Sequence, residues 1–121
     1  MAGLKNRGYC HSELPFFIFA TYLIKRKYMI SSNEYFEGTV KSLGYTSATG
    51  KSTIGVMEPG EYEFGTSSKE NMIVVEGELI ALLPGESEWK SFKAGTSFKV
   101  GANTSFKVKS VGQTSYLCQY E

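Results

Sequence analysis

Residues 55–77 read G-V-M-E-P-G-E-Y-E-F-G-T-S-S-K-E-N-M-I-V-V-E-G, and residues 95–106 read G-T-S-F-K-V-G-A-N-T-S-F. In both, short runs rich in Tyr, Phe, Val and Ile are cut by glycine or by Pro-Gly, the pattern of short strands joined by tight turns. The apolar run Met72 to Val75 suits a strand in a buried wall. Working outward from these segments, strands are expected over residues 36–45, 52–57, 61–65, 70–75, 78–83, 89–92, 96–100, 105–109 and 114–120, with breaks at Pro59-Gly60, Glu76-Gly77, Pro84-Gly85, Ala94-Gly95 and Val111-Gly112. No helical period, internal linker or repeat interrupts them, so the expectation is an all-β, single-domain, small antiparallel barrel or sandwich.

Composition agrees. Eight Tyr and eight Phe stand against three Pro in 121 residues, and aromatic side chains favour strands. The overall charge of +1 is unevenly spread: residues 1–28 carry +4, whereas residues 29–121 hold eight Lys and eleven Glu and carry −3. An acidic domain without clustered cations argues against a nucleic-acid partner. Residues 29–121 also contain no His, Arg or Asp. That excludes a His-based triad and His-based metal sites there, and leaves proton transfer to Glu, Tyr, Lys, Cys or water. Cys10 and Cys118 have no metal-ligand spacing, and Cys118 is expected to be buried and reduced.

Residues 1–28 read as an extension outside the fold, with the domain at 29–121. The apolar run over residues 14–24 is too short for a transmembrane helix of about twenty residues. It ends in Lys25-Arg26-Lys27 where a signal peptide would carry small residues, so the reading is a cytoplasmic protein without stable membrane insertion.

The two glycine-framed segments resemble the paired motifs of the cupins. Glu70 followed by Gly77 matches the end of the first motif, with Gly55 at its start and Glu61 and Glu63 where the motif carries two histidines; Phe106 stands at the histidine of the second motif. Residues two apart on a strand share a face, so Glu61 and Glu63 are expected to point the same way. The resemblance implies a jelly-roll type cupin barrel whose metal ligands have been lost.

Four ordered strings narrow the resemblance: S-N-E-Y-F-E-G-T-V-K-S-L-G at 32–44, I-G-V-M-E-P-G-E-Y-E-F at 54–64, V-V-E-G-E-L-I-A-L-L-P at 74–84 and T-S-Y-L-C-Q-Y at 114–120. Together they are similar to the small bacterial pyrimidine/purine nucleoside phosphorylase family (PpnP). That resemblance implies a homodimer that splits purine and pyrimidine nucleosides with inorganic phosphate into free base and α-D-ribose 1-phosphate, with no cofactor beyond phosphate as co-substrate. The other reading is a non-catalytic cupin module that binds a small metabolite.

The residues have the means for phosphorolysis. A ribosyl transition state carries positive charge, which an ionised carboxylate stabilises. Glu61, Glu63 and Glu70 are the candidates for that role. Lys41 and Ser42, with Lys51, Ser52 and Thr53, supply ammonium and hydroxyl donors for phosphate in the absence of Arg. Tyr62, Phe64, Phe98 and Phe106 offer faces on which a base can stack, and Phe106 is the strongest of them because it replaces an inward-facing histidine.

Overall fold

The computed structural model describes residues 29–121; the extension, with its apolar run, Cys10 and His11, lies outside the described residues. Ten strands follow one another: β1 (Ser31–Tyr35), β2 (Val40–Ser47), β3 (Gly50–Met57), β4 (Gly60–Gly65), β5 (Glu70–Glu76), β6 (Glu78–Leu82), β7 (Lys90–Lys93), β8 (Ser97–Val100), β9 (Ser105–Ser110) and β10 (Thr114–Tyr120). They form two antiparallel sheets, one ordered β1-β2-β3-β10-β5-β8 and the other β4-β9-β6-β7. The core lies where their inner faces meet. Val40, Met57, Val74, Leu79, Ala81 and Val108 are there with no exposed surface.

Period-two alternation determines what each strand presents inward. On β10, Thr114, Tyr116 and Cys118 are buried and Ser115, Leu117 and Gln119 face out; on β5, Met72 and Val74 are buried. On β4, Tyr62 is buried, Phe64 is half-buried against the core, and Glu61 and Glu63 are exposed. The expectation that these two carboxylates share a face holds, but that face is the outer one and not the face of a lost ligand pair. The rings of Tyr62 and Phe64 bury far more apolar area than two glutamates could, so they take the core side and the alternation turns both carboxylates outward. Opposite them on β9 stand Lys109 and Lys107.

A second correction concerns the start of the domain. The stretch 36–45 is not one strand. β1 pairs with β2 from Ser31↔Gly44 to Tyr35↔Val40, and Phe36, Glu37 and Gly38 between them all adopt positive φ (51°, 58° and 86°). This left-handed turn is fastened by Thr39, whose N–H and hydroxyl both donate to the Phe36 carbonyl, at 3.2 Å and 2.7 Å. β1 is a polar edge strand, S-S-N-E-Y, so it lacks the apolar alternation by which a buried strand is recognised.

Candidate active site

Between the sheets opens a cavity of about 290 Å³, at the lower end of the range for small-molecule sites. Its two walls differ in chemistry. The six-stranded sheet contributes hydroxyls and one carboxylate: Ser42 of β2, Thr53 of β3, Tyr116 and Tyr120 of β10, and Glu70 at the start of β5. The facing wall is aromatic. Phe64 and Phe106 pack at 5.8 Å between centroids, and Phe36 meets Phe64 edge-on at 5.5 Å.

Register explains how the polar wall is assembled. Tyr120 stands opposite Glu70, Cys118 lies between Thr53 and Met72, and Tyr116 lies between Gly55 and Val74, so adjacent strands deliver these groups in consecutive rows. Gly55 is required for that arrangement. A Cβ there would sit 2.6 Å from the Tyr116 hydroxyl oxygen and 2.8 Å from the Lys41 carbonyl, closer than real contacts allow. The ring of Tyr116 therefore lies over bare backbone.

Phe36 reaches the aromatic wall by another route. Its left-handed φ of 51° is costly for an aromatic residue, and the turn that holds it aims the ring at the cavity, 5.1 Å from Tyr62. Phe36 is nevertheless 43% exposed. It lines the cavity and is not part of the core.

Glu70 is the electrostatic centre of the site. Burial pushes its carboxyl above the ordinary range, and the Cys118 thiol, which donates to Oε1 at 3.4 Å, partly offsets that rise. The groups around it are held neutral. Cys118 is pushed up to about 12, first by burial and then by the charge of Glu70. Tyr116 is pushed up to about 12, chiefly by burial, with the Ser42 hydroxyl acting against the rise. Tyr120 is raised by burial too, opposed by its hydrogen bond with Thr53 Oγ1 at 3.2 Å. At neutral pH the polar wall thus presents neutral hydrogen-bonding groups around a single ionisable carboxyl.

Six of the residues singled out in the sequence meet at this cavity: Ser42, Thr53, Glu63, Phe64, Glu70 and Phe106. Glu63 reaches it only at the rim, beside Phe64 and Gly65. Six others lie elsewhere, Phe98 among them in the core and Ser52 in the lining that also holds Lys51. Glu61 is exposed on the outer face of β4, and Lys41 is exposed on the outer face of β2. Tyr62 is a core residue whose hydroxyl donates to the Glu58 carbonyl at 2.7 Å, so its ring supports Phe36 and does not line the cavity. Lys51 belongs to a second cavity next to the first. The sequence reading missed Tyr35, Phe36, Tyr116 and Tyr120. The string T-S-Y-L-C-Q-Y held the signal for two of them, since alternation places both tyrosines and Cys118 on one face. Among the described residues, no three of His, Cys, Asp or Glu come together as a metal centre would need.

Comparison with known proteins agrees with this architecture. The profile of the family described as pyrimidine/purine nucleoside phosphorylase matches residues 30–120. A pyrimidine/purine nucleoside phosphorylase of Marinobacter nauticus is 55% identical over 92 residues, covering 76% of this chain and 99% of that protein. Among solved structures, a Vibrio parahaemolyticus protein of unknown function superposes with a TM-score of 0.74 at 44% identity, over 76% of this chain and 98% of its own. An RmlC-like cupin from Shewanella frigidimarina superposes at 0.59 with 17% identity, covering 76% and 83% of the two chains, a likeness of fold alone.

Proposed function

The chain belongs to the pyrimidine/purine nucleoside phosphorylase family, and from that premise we propose that the cavity between its sheets binds the nucleoside, with Glu70 facing the ribosyl carbon. The reaction is phosphorolysis. The C1′–N bond of the nucleoside breaks with its electron pair going to the base, and a phosphate oxygen bonds to C1′. With hydrogen phosphate as nucleophile, the proton it gives up is the one the base acquires, so the products are free base and ribose 1-phosphate with no other reactant and no cofactor.

The observation that carries this reading is the placement of Glu70, a carboxylate surrounded by neutral groups on one wall of a cavity whose other wall is aromatic. Positive charge develops on the sugar in the transition state, and a carboxylate in a dry site stabilises it more than it does the neutral ground state. The hydroxyls of Ser42 and Tyr116 suit the ribose, which every nucleoside shares. Phe36, Phe64 and Phe106 suit the base by stacking. A wall poor in hydrogen-bonding groups discriminates weakly between bases, as an enzyme for purines and pyrimidines needs. Glu63 at the rim is a secondary carboxylate in this scheme, and Glu61 has no part in it.

Incubating the purified protein with uridine or inosine, with and without phosphate, tests the reading. Phosphate-dependent release of base together with ribose 1-phosphate is expected. Binding of nucleoside without turnover would favour the metabolite-binding module instead.

In the same proposal, a second copy of the chain packs as a homodimer on the outer face of the six-stranded sheet. Leu43, Ile54, Val56 and Val75 are each 42–49% exposed there, and the strand register makes Leu43, Ile54 and Leu117 a continuous row. Glu34 and Lys41 stand beside that patch on paired strands. A two-fold axis can therefore bring two such patches together with opposite charges available at their rim. No helix among the described residues is long and apolar enough to cross a membrane, and a cytoplasmic location, where nucleosides and phosphate are both at hand, suits the activity.

A further inference from the structure

The second cavity, of about 580 Å³, opens beside the first, and Tyr35, Thr53 and Tyr120 belong to the linings of both. The two differ in charge. Among the described residues, the nucleoside cavity is lined by the carboxylates Glu63 and Glu70 and by no cationic side chain, whereas the adjoining one is lined by Lys51 and hydroxyl or amide side chains such as Ser31, Asn33 and Thr46, and by no carboxylate. A phosphate dianion is repelled by the first and attracted by the second. We propose that the Lys51 cavity is the phosphate subsite and that the hydroxyls of Tyr120 and Thr53, on the shared wall, position phosphate for attack on the sugar held next door.

The geometry of the wall supports this. The Tyr120 hydroxyl and Thr53 Oγ1 lie 3.2 Å apart, and Tyr120 stands opposite Glu70 in the β10–β5 register. Directly opposed residues on antiparallel strands are about 5 Å apart at Cα. The two hydroxyls therefore line both cavities, the one that holds Lys51 and the one that holds Glu70. Each can leave the other and donate to a phosphate oxygen. Because burial raises the Tyr120 phenol, it remains a neutral donor wherever the enzyme works. Separate compartments for cation and anion also answer how one small site holds Glu70 and a dianion at once: the donors line both.

The inference rests on the phosphorylase reading, and the test separates the two. Steady-state phosphorolysis of uridine is measured for the parent, Tyr120→Phe, Thr53→Val and Lys51→Met, varying phosphate and uridine in turn, with a thermal melt of each protein as a check on folding. Each variant is expected to raise KM for phosphate by about tenfold or more, the usual loss for a hydrogen bond to a charged group, while KM for uridine stays within about twofold. Thr53→Ser, which keeps the hydroxyl, should restore the parent value. Calorimetric titration with inorganic phosphate alone gives a readout independent of turnover: binding should weaken in the same three variants. Unchanged phosphate KM and phosphate binding, or equal shifts in both KM values, would overturn the subsite even with an active enzyme. A parent that binds phosphate at Lys51 but turns over no nucleoside would overturn the phosphorylase reading and leave the subsite standing.

Discussion

Two groups of carboxylates lie within ten residues of one another, on the outer face of β4 and at the start of β5, and their surroundings differ. Glu61 and Glu63 are exposed and stand opposite Lys109 and Lys107, in water and beside opposite charge. Lys109 also lies 4.0 Å over the ring of Trp89, which ties that surface together further. A carboxylate there does little for stability, because exposed pairs contribute at most about 1 kcal/mol. Glu70 lies in a cavity whose lining, among the described residues, holds no cation but a thiol, phenols, hydroxyls and apolar side chains, and burial makes its ionisation unfavourable. A fold does not retain such a group for stability. The contrast teaches that the chemistry belongs where the charge is expensive, because only there does a cationic transition state gain strongly from it.

The largest expected effect that breaks or sustains this contrast is on turnover. Glu70→Gln keeps the shape and removes the charge, and kcat for uridine and inosine should fall about a hundredfold. Glu61→Gln should remain within about threefold of the parent, and Glu63→Gln, at the rim, should lie between them. Losses of equal size at Glu61 and Glu70 would erase the distinction between the two regions.

Next in size is the effect of Gly55. A methyl group at this position collides with the Tyr116 hydroxyl and with the Lys41 carbonyl, and the backbone atom cannot move aside. Gly55→Ala should cost about 1–3 kcal/mol of stability, the range for overpacking, and lower activity by displacing the phenol. A denaturant titration coincident with that of the parent would show that Tyr116 is not held as described.

The smallest effect concerns stability and pH. Glu70 has a carboxyl pKa raised by folding, so the folded state binds its proton more tightly than the unfolded one. Stability from this group is present at pH below its unfolded value and is lost as pH rises through the folded value. Glu70→Gln never ionises, and its Tm relative to the parent should therefore increase from pH 4 to pH 8. A Tm difference that shrinks over that interval would mean the carboxylate is stabilised in the fold, contrary to its surroundings. A protein shortened to begin at Met29 should melt with the full-length chain and keep its activity, because the expected domain and the family match both lie within residues 29–121.

Much of the fold was legible because it rests on local chemistry: turn residues and apolar alternation mark nine of the ten strands, although the first of the nine was begun too early. The inward placement of Phe106 and Glu70 was legible from motif spacing. The faces of β4 were not, because the motif counted from Gly55 puts Glu61 and Glu63 inside while the burial demand of Tyr62 and Phe64 puts them outside, and packing decides. β1 and the left-handed turn at Phe36 were hidden for a different reason. An edge strand buries little, and a phenylalanine at positive φ contradicts its own local preference. The separation of Lys41 from Ser42 and Thr53 follows from period two, but which parity faces inward depends on the second sheet, which no local reading contains.

The most direct test of the central claim is the ratio of kcat for the parent to kcat for Glu70→Gln, measured across pH 4 to 8 with uridine and phosphate saturating. The ratio cancels the titration of phosphate itself and isolates Glu70, whose titrating neighbours on β10 are Cys118, Tyr116 and Tyr120. Cys118 and Tyr116, both pushed up to about 12 by burial, titrate far above this interval, and burial raises Tyr120 as well. If the ionised carboxylate stabilises the ribosyl cation, the ratio should be small at the acid end, rise through a single limb above the ordinary glutamate value of 4.5, and level off near a hundredfold. A ratio that does not change with pH would contradict the account.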